Sequence, residues 1–185
     1  SIGLMSKVLL YGAYGYTGKL ILDELLSTHV CRPIIAGRNA SEIEKLADSY
    51  KLDFEVAEVD AMASILSKHR SVELVINAAG PYVFTAIKIA RSCIDYGVHY
   101  IDITGEVSIF NQLFDLSELA RKSGVMLMPG TGFDVAPTDC LANALKNKLP
   151  DATRLELAFA NVGAGASRGT LLTSLLSLDT TTLIR

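Results

Sequence analysis

The segment Leu9-Leu10-Tyr11-Gly12-Ala13-Tyr14-Gly15-Tyr16-Thr17-Gly18-Lys19-Leu20 constrains the fold of this chain more than any other. An apolar run ends in glycines at 12, 15 and 18, and an amphipathic helical pattern begins at once. A strand, a glycine turn and a helix in that order make a cradle for a dinucleotide pyrophosphate. Gly12 suits the tight turn, and Gly15 lets backbone approach phosphate oxygens with no Cβ in the way. Gly18 lets the helix lie close on its strand. The free N–H groups and positive dipole end of that helix favour the anion. The spacing is G-x-x-G-x-x-G, one residue longer between the first two glycines than the NAD fingerprint G-x-G-x-x-G. The competing explanation is an ordinary strand–helix turn whose glycines serve packing alone.

The rest of the chain alternates strand and helix. Residues 7–12 form a buried first strand, and Leu20, Ile21, Leu25 and Leu26 then fall at helical spacing over residues 16–28. Residues 33–38 give a short second strand. Ser41 with Glu44 makes a capping box for a helix whose inner face is Ile43, Leu46, Ala47 and Tyr50. Residues 54–59 alternate as a third strand, a helix covers 62–69, and 73–78 is the fourth strand. Ala86, Ile87, Ala90, Cys93 and Ile94 stripe a helix over 84–96, followed by a fifth strand at 98–103. Val107, Phe110, Leu113, Phe114 and Ala120 mark one long helix ending at Gly124, with a sixth strand at 125–128. This alternation predicts an α/β chain with a doubly wound parallel sheet of Rossmann type.

Past Pro137 the plan changes. Leu141, Ala142 and Leu145 belong to another helix, and residues 154–160 alternate like a strand of a different sheet. Gly163, Gly165 and Gly169 form a loop, and residues 171–178 start a helix. These pieces cannot bury their own apolar faces. The expectation is a cofactor-binding domain over residues 5–137, with 138–185 the start of an incomplete second α/β domain for substrate or dimerisation. On that reading the chain is the front of a longer protein.

Composition narrows the partners. The 185 residues are 50% hydrophobic and 20% charged, which suits a sheet covered on both faces. A formal charge of −3 with scattered basic residues gives no footprint for nucleic acid. Cys31, Cys93 and Cys140 stand far apart, as do the three histidines, so no metal site is expected. Reduced thiols in a cytoplasmic protein are the simplest account, with Cys93 in the core. No apolar run approaches the ~20 residues of a membrane span, and no signal peptide is visible. Ser1 to Leu4, ahead of Met5, look like residues left by cloning. Uncovered apolar surface would allow self-association into a homo-oligomer.

The cofactor can be narrowed further. NAD-binding folds place a carboxylate about 20 residues past the loop, on the ribose hydroxyls. Counting from Gly18 lands on Arg38, in Ala36-Gly37-Arg38-Asn39. A guanidinium there suits a 2′-phosphate, which a carboxylate would repel, so NADP is expected over NAD. A solvated surface arginine is the bland alternative. Asn77-Ala78-Ala79-Gly80-Pro81 follows the fourth strand with small residues, where backbone could approach the cofactor ribose.

Taken together these segments resemble the saccharopine dehydrogenase-like oxidoreductases, a group that includes trans-acting enoyl reductases. The segments are residues 11–18, 36–38, 77–82, Tyr100-Ile101-Asp102-Ile103-Thr104-Gly105-Glu106, and Gly132-Phe133-Asp134-Val135-Ala136-Pro137-Thr138-Asp139. The resemblance implies an NAD(P)-binding domain that places Gly12, Gly15 and Gly18 around the pyrophosphate, with Tyr16 and Thr17 supplying amides and Tyr14 also among the cofactor-binding residues. It sets Arg38 at the adenosine ribose, Asn77, Ala79 and Gly80 towards the nicotinamide, and Thr104 at the cleft edge. Lysine-pathway activity does not follow from it.

Hydride transfer also needs a proton donor or acceptor, and Glu106 and Asp134 are the candidates at strand ends, with Tyr82 behind them. Each has a structural alternative, as a helix cap, a turn and a packing residue respectively. None of the seven tyrosines has a lysine four residues later, which argues against a Tyr-x-x-x-Lys mechanism. The leading expectation is an NADP(H)-dependent oxidoreductase acting on a small or acyl substrate. A non-catalytic redox sensor and an S-adenosylmethionine-dependent methyltransferase are the alternatives. The last of these would want an acidic residue where Arg38 stands.

Overall fold

A computed structural model describes residues 7–158 of the chain. Strand β1 (Val8–Tyr11) leads into helix α1 (Tyr16–Ser27), then β2 (Ile34–Gly37), α2 (Ala40–Tyr50) and β3 (Phe54–Val56). A 3₁₀ turn (Val59–Ala61), α3 (Met62–Lys68), β4 (Leu74–Asn77) and α4 (Tyr82–Tyr96) follow. Then come β5 (His99–Asp102), α5 (Val107–Phe114), α6 (Ser117–Lys122), β6 (Leu127–Met128) and α7 (Ala136–Lys148). The six strands form one parallel sheet in the order β3-β2-β1-β4-β5-β6. The order reverses beside β1, and that switch point opens a crevice at the carboxyl ends of the strands. This is the doubly wound Rossmann architecture expected from the alternation.

Strand periodicity divides the core in two. Leu9, Tyr11, Ile34, Ala36, Val75 and Tyr100 point to the face covered by α3, α4, α5 and α6. Leu10, Ile35 and Ile76 point the other way, onto Leu22 of α1 and Ile43 and Ala47 of α2. Both faces are dry, so the strands read as continuous apolar runs rather than as polar–apolar alternation. Cys93 lies inside this core, and burial pushes its thiol well up from the ordinary value.

Several local expectations are corrected. Helix α2 is capped by Asn39, whose Oδ1 accepts the Glu42 N–H at 3.3 Å, and not by a Ser41–Glu44 box. Asn39 already leaves the strand in an extended conformation, so the helix starts before Ser41. Strand β3 stops at Val56, and the chain turns into the 3₁₀ segment, which frees Glu58 and Val59 from the sheet. The long helix after β5 is broken into α5 and α6. Leu116 turns into the core there, and its N–H bonds the Leu113 carbonyl at 3.1 Å, tightening the turn between them. Helix α4 begins at Tyr82, two residues ahead of the expected start at Phe84. Residues 154–158 form no strand. The expected continuation to 160, the glycine loop at 163–169 and the helix at 171–178 lie outside the described residues.

Helix α7 has no buried residue, and Leu141 and Leu145 along it and Leu149 at its end are exposed. Among the described residues no helix is long and apolar enough to cross a membrane, and no group of ligating side chains could hold a metal ion.

The exposed edge strand β3 is pinned by charge. Glu55 Oε1 accepts from Lys68 Nζ and His69 Nε2, both at 2.6 Å. Partial burial raises the carboxyl's pKa, but the Lys68 and His69 hydrogen bonds outweigh it, leaving the group below its ordinary 4.5. A carboxylate with a depressed folded pKa stabilises the fold above its unfolded value, and that contribution is lost as pH falls through the folded pKa. Urea melts below pH 5 should therefore show a shallower acid loss for Glu55→Gln than for the unaltered chain. Parallel curves would show that the cluster contributes nothing.

Candidate functional site

The crevice is a groove of about 550 Å³ across the carboxyl ends of β1, β2 and β4. Its central wall is the glycine turn. Gly12 has φ +85°, and a Cβ there would sit 2.8 Å from the Ala79 nitrogen. The β1 and β4 turns thus touch through backbone at the bottom of the groove. Gly15 caps α1 with no side-chain hydrogen bond, and the first turn carries no acidic residue. The N–H groups of that turn therefore face the groove with no carboxylate in the turn itself to compete for them. That arrangement suits an anion held by several amides.

Gly18 works differently. It is buried beneath the helix, where a Cβ would meet the Gly12 oxygen. It sets how closely α1 approaches β1 and does not line the groove.

The other end of the groove is polar and charged. Arg38 is exposed just past β2 and lines it together with Tyr14, Glu58, Val59 and Lys88. The Tyr14 ring lies on Gly37, where any Cβ would strike its Cε1, and its hydroxyl accepts the Asn39 N–H at 3.3 Å. Lys88 of α4 pairs with Asp60 of the 3₁₀ turn at 2.6 Å. The Tyr11 hydroxyl donates to the Ala57 carbonyl at 3.2 Å. Burial and then the Glu58 charge raise its pKa to about 12, with Arg38 pulling the other way.

Ala79 and Gly80 line the groove, whereas Asn77 and Thr104 lie beneath it, fully or nearly fully buried. Asn77 Oδ1 accepts the Ala79 N–H at 3.1 Å, and its Nδ2 donates to Thr85 Oγ1 at 3.1 Å and the Tyr100 hydroxyl at 3.2 Å. Tyr100 donates to Asp102 Oδ2 at 2.7 Å. Asp102 Oδ1 accepts the N–H groups of Thr104 and Gly130, each at 3.0 Å. Asn77 and Asp102 are register partners across β4 and β5, so both meet Tyr100 on one face of the sheet.

Glu106 and Asp134 sit at the same carboxyl edge but outside the groove lining. The turns carrying them approach each other, since a Cβ on Gly105 would lie 3.9 Å from the Asp134 Cβ. Asp134 is exposed. Glu106 heads α5 with no side-chain cap bond, and its Oε1 is buried with no hydrogen-bond partner among the described residues. Tyr82 is buried beside it. Desolvation first, then the Asp102 and Glu106 charges, push that phenol's pKa far up, so it stays protonated.

Sequence reasoning passed over Glu58, Val59, Thr85 and Lys88 on the groove wall, and Tyr100 and Asp102 beneath it. Asp102 had a signal: a carboxylate closing an otherwise apolar central strand requires buried partners.

Comparison with known proteins agrees with this fold. The family model described as the saccharopine dehydrogenase NADP binding domain matches residues 8–128. A saccharopine dehydrogenase-like oxidoreductase of Bos taurus is 23% identical over 177 residues, covering 85% of this chain and 41% of that protein. A trans-acting enoyl reductase of Mycobacterium leprae is 27% identical over 139 residues, covering 71% of this chain and 33% of that protein. The chain thus spans less than half the length of the curated relatives it matches. Among solved structures, apo saccharopine dehydrogenase (L-Glu forming) from Saccharomyces cerevisiae superposes with a TM-score of 0.66 at 21% identity. That match covers 78% of this chain and 31% of the yeast enzyme, and it bears on the fold alone.

Proposed function

The chain belongs to the saccharopine dehydrogenase NADP-binding domain family, and from that premise we propose that it binds NADP(H) in the groove as the cofactor part of an oxidoreductase. The observation that carries this is the uncapped, carboxylate-free start of α1 behind the Gly12 turn. Gly15, Tyr16 and Thr17 hold the pyrophosphate, Tyr14 and Arg38 meet the adenosine ribose and its 2′-phosphate, and Ala79 and Gly80 back the nicotinamide. Gly18, Asn77 and Thr104 support these contacts from below. When bound, the cofactor supplies or accepts a hydride.

The residues of this chain supply position and charge. Glu106 handles the proton at the nicotinamide end, because its Oε1 is held from water with no partner among the described residues and Tyr82 stays protonated beside it. Asp134, exposed on the neighbouring turn, faces substrate. The substrate is small or acyl in character, and residues beyond about 137, where α7 leaves the sheet with no buried side chain, begin the domain that binds it.

Fluorescence titration with NADPH and NADH tests the reading. NADPH should bind more tightly, and failure to bind either would end it. Binding of NADPH with no turnover by the full-length protein on enals, enoyl thioesters and imines would favour a redox sensor instead. A second test needs no substrate. Leaving a buried carboxylate oxygen unpaired costs about 1 kcal/mol or more, so Glu106→Met, which keeps the length of the side chain and removes its polar atoms, should raise Tm by roughly 2–4 °C. NADPH affinity should stay unchanged. A lower Tm would make Glu106 a structural cap.

A further inference from the structure

The cofactor side and the substrate side of the site are carried by different strands, yet they are tied together below the surface. The Ala78–Pro81 turn follows β4, whereas Thr104–Glu106 and Gly130–Thr131 follow β5 and β6. Asn77 and Asp102 are each 0% exposed, and Tyr100 between them is equally dry. We infer that Tyr100, acting through Asn77, is a positioning residue that fixes the nicotinamide-side turn and couples it to the substrate-side turns through Asp102. The inference rests on the dinucleotide reading above and deepens it.

The argument is an accounting of bonds. The Ala79 peptide is held at both ends, its N–H by Asn77 Oδ1 at 3.1 Å and its carbonyl by the Thr85 hydroxyl at 2.7 Å. Asn77 in turn has its amide oriented by Thr85 and Tyr100. The Tyr100 hydroxyl has one proton, which goes to Asp102 Oδ2 at 2.7 Å, so its oxygen is left to accept from Asn77. That direction fixes which end of the Asn77 amide faces Ala79. Burial, with Asp102 beside it, raises the Tyr100 pKa well above the ordinary value, so the donor is never lost near neutrality. Asp102 spends its other oxygen on Thr104 and Gly130, and its carbonyl accepts from Thr131 N–H at 2.8 Å and hydroxyl at 2.7 Å. One phenol therefore stands between two turns that approach opposite sides of the hydride-transfer position. Low local dielectric makes such a chain strong when complete and costly when one member is missing.

The test separates the two ends of the cofactor. Tyr100→Phe keeps the ring and removes the hydroxyl, and Thr85→Val does the same for the outer link. Each variant is titrated with NADPH and with 2′,5′-ADP, which has the adenosine end and no nicotinamide. Both variants should lose roughly three- to ten-fold in NADPH affinity, the value of one neutral hydrogen bond. Binding of 2′,5′-ADP should hold within about two-fold, well inside that value. General damage to the fold would weaken both ligands alike, and that result, or no change in either, overturns the inference. Should Tyr100→Phe not fold, Asp102→Asn decides in its place: it keeps the side-chain shape but takes away the acceptor of the Tyr100 proton, so NADPH should weaken while 2′,5′-ADP holds. Were the unaltered chain to bind neither ligand, the dinucleotide reading itself would fall. Loss confined to this inference requires the unaltered chain to bind both.

Discussion

Arg38→Ala should weaken NADPH binding by roughly 10- to 150-fold, the worth of about 1.5–3 kcal/mol for hydrogen bonds to a charged group. NADH should be almost unaffected, because its ribose offers hydroxyls where NADPH carries a phosphate. The size of the effect follows from the surroundings. Glu58 lines the same end of the groove, so removing the guanidinium leaves the 2′-phosphate facing a carboxylate with less positive charge to offset it. Because Arg38 is exposed, its contribution should also shrink as salt is raised. Paired titrations of NADPH and NADH at two ionic strengths measure all of this. Equal losses for the two cofactors would mean that Arg38 reads the adenine or ribose and not the phosphate, and the proposed preference for NADP would have no residue behind it.

Gly18→Ala should have the largest effect on the fold. Its Cβ would overlap the Gly12 oxygen and come within 2.9 Å of both Cα and O of Ala13. These are backbone atoms of a turn already committed to a positive φ at Gly12, so no side chain can yield. Helix α1 must move away from β1, exposing part of the contact around Leu22 and Ala13. Overpacking of this kind costs about 1–3 kcal/mol, and at the upper end Tm falls by roughly 6–12 °C. The displaced first turn should lose the anion as well. Gly15→Ala is the control: its Cβ would lie 3.2 Å from the same oxygen, a contact that a small shift relieves. If the two variants melt together, close packing is not why position 18 is glycine.

The sequence made the scaffold legible because each signal was local. Gly12, Gly15 and Gly18 sit between an apolar run and a helical stripe, and Arg38 could be found by counting along the chain. The apolar runs at β1, β2, β4 and β5 needed no knowledge of their neighbours to be read as doubly covered strands. What stayed hidden depends on register. Asn77 was read as a groove residue because the turn it precedes is one, but its side chain faces inward toward Tyr100. Asp102 and Tyr100 become meaningful only when β4 and β5 are aligned and Asn77 falls opposite Asp102. Glu58 and Lys88 reach the groove because β3 ends early and α4 runs past the 3₁₀ turn. No periodicity in either segment announces that. The single long helix expected from Val107 to its end at Gly124 failed for a similar reason. One buried side chain, Leu116, outweighed a continuous stripe.

The strand order also says when the site comes into being. β1 stands in the middle of the sheet, between β2, which follows directly, and β4, which the chain reaches only after two further crossovers. A chain emerging from its N-terminus therefore holds the glycine turn long before it has the Ala78–Ala79 backbone that packs on Gly12. Closing that long loop is costly in entropy and makes parallel pairings slow. The groove is consequently a late product of folding, absent from any intermediate in which β1 and β2 alone have paired. A nucleotide bound there holds the assembled sheet, not one of its parts, so saturating ligand should slow the last, global opening of the central strands seen by hydrogen exchange and leave the fraying of β3 untouched.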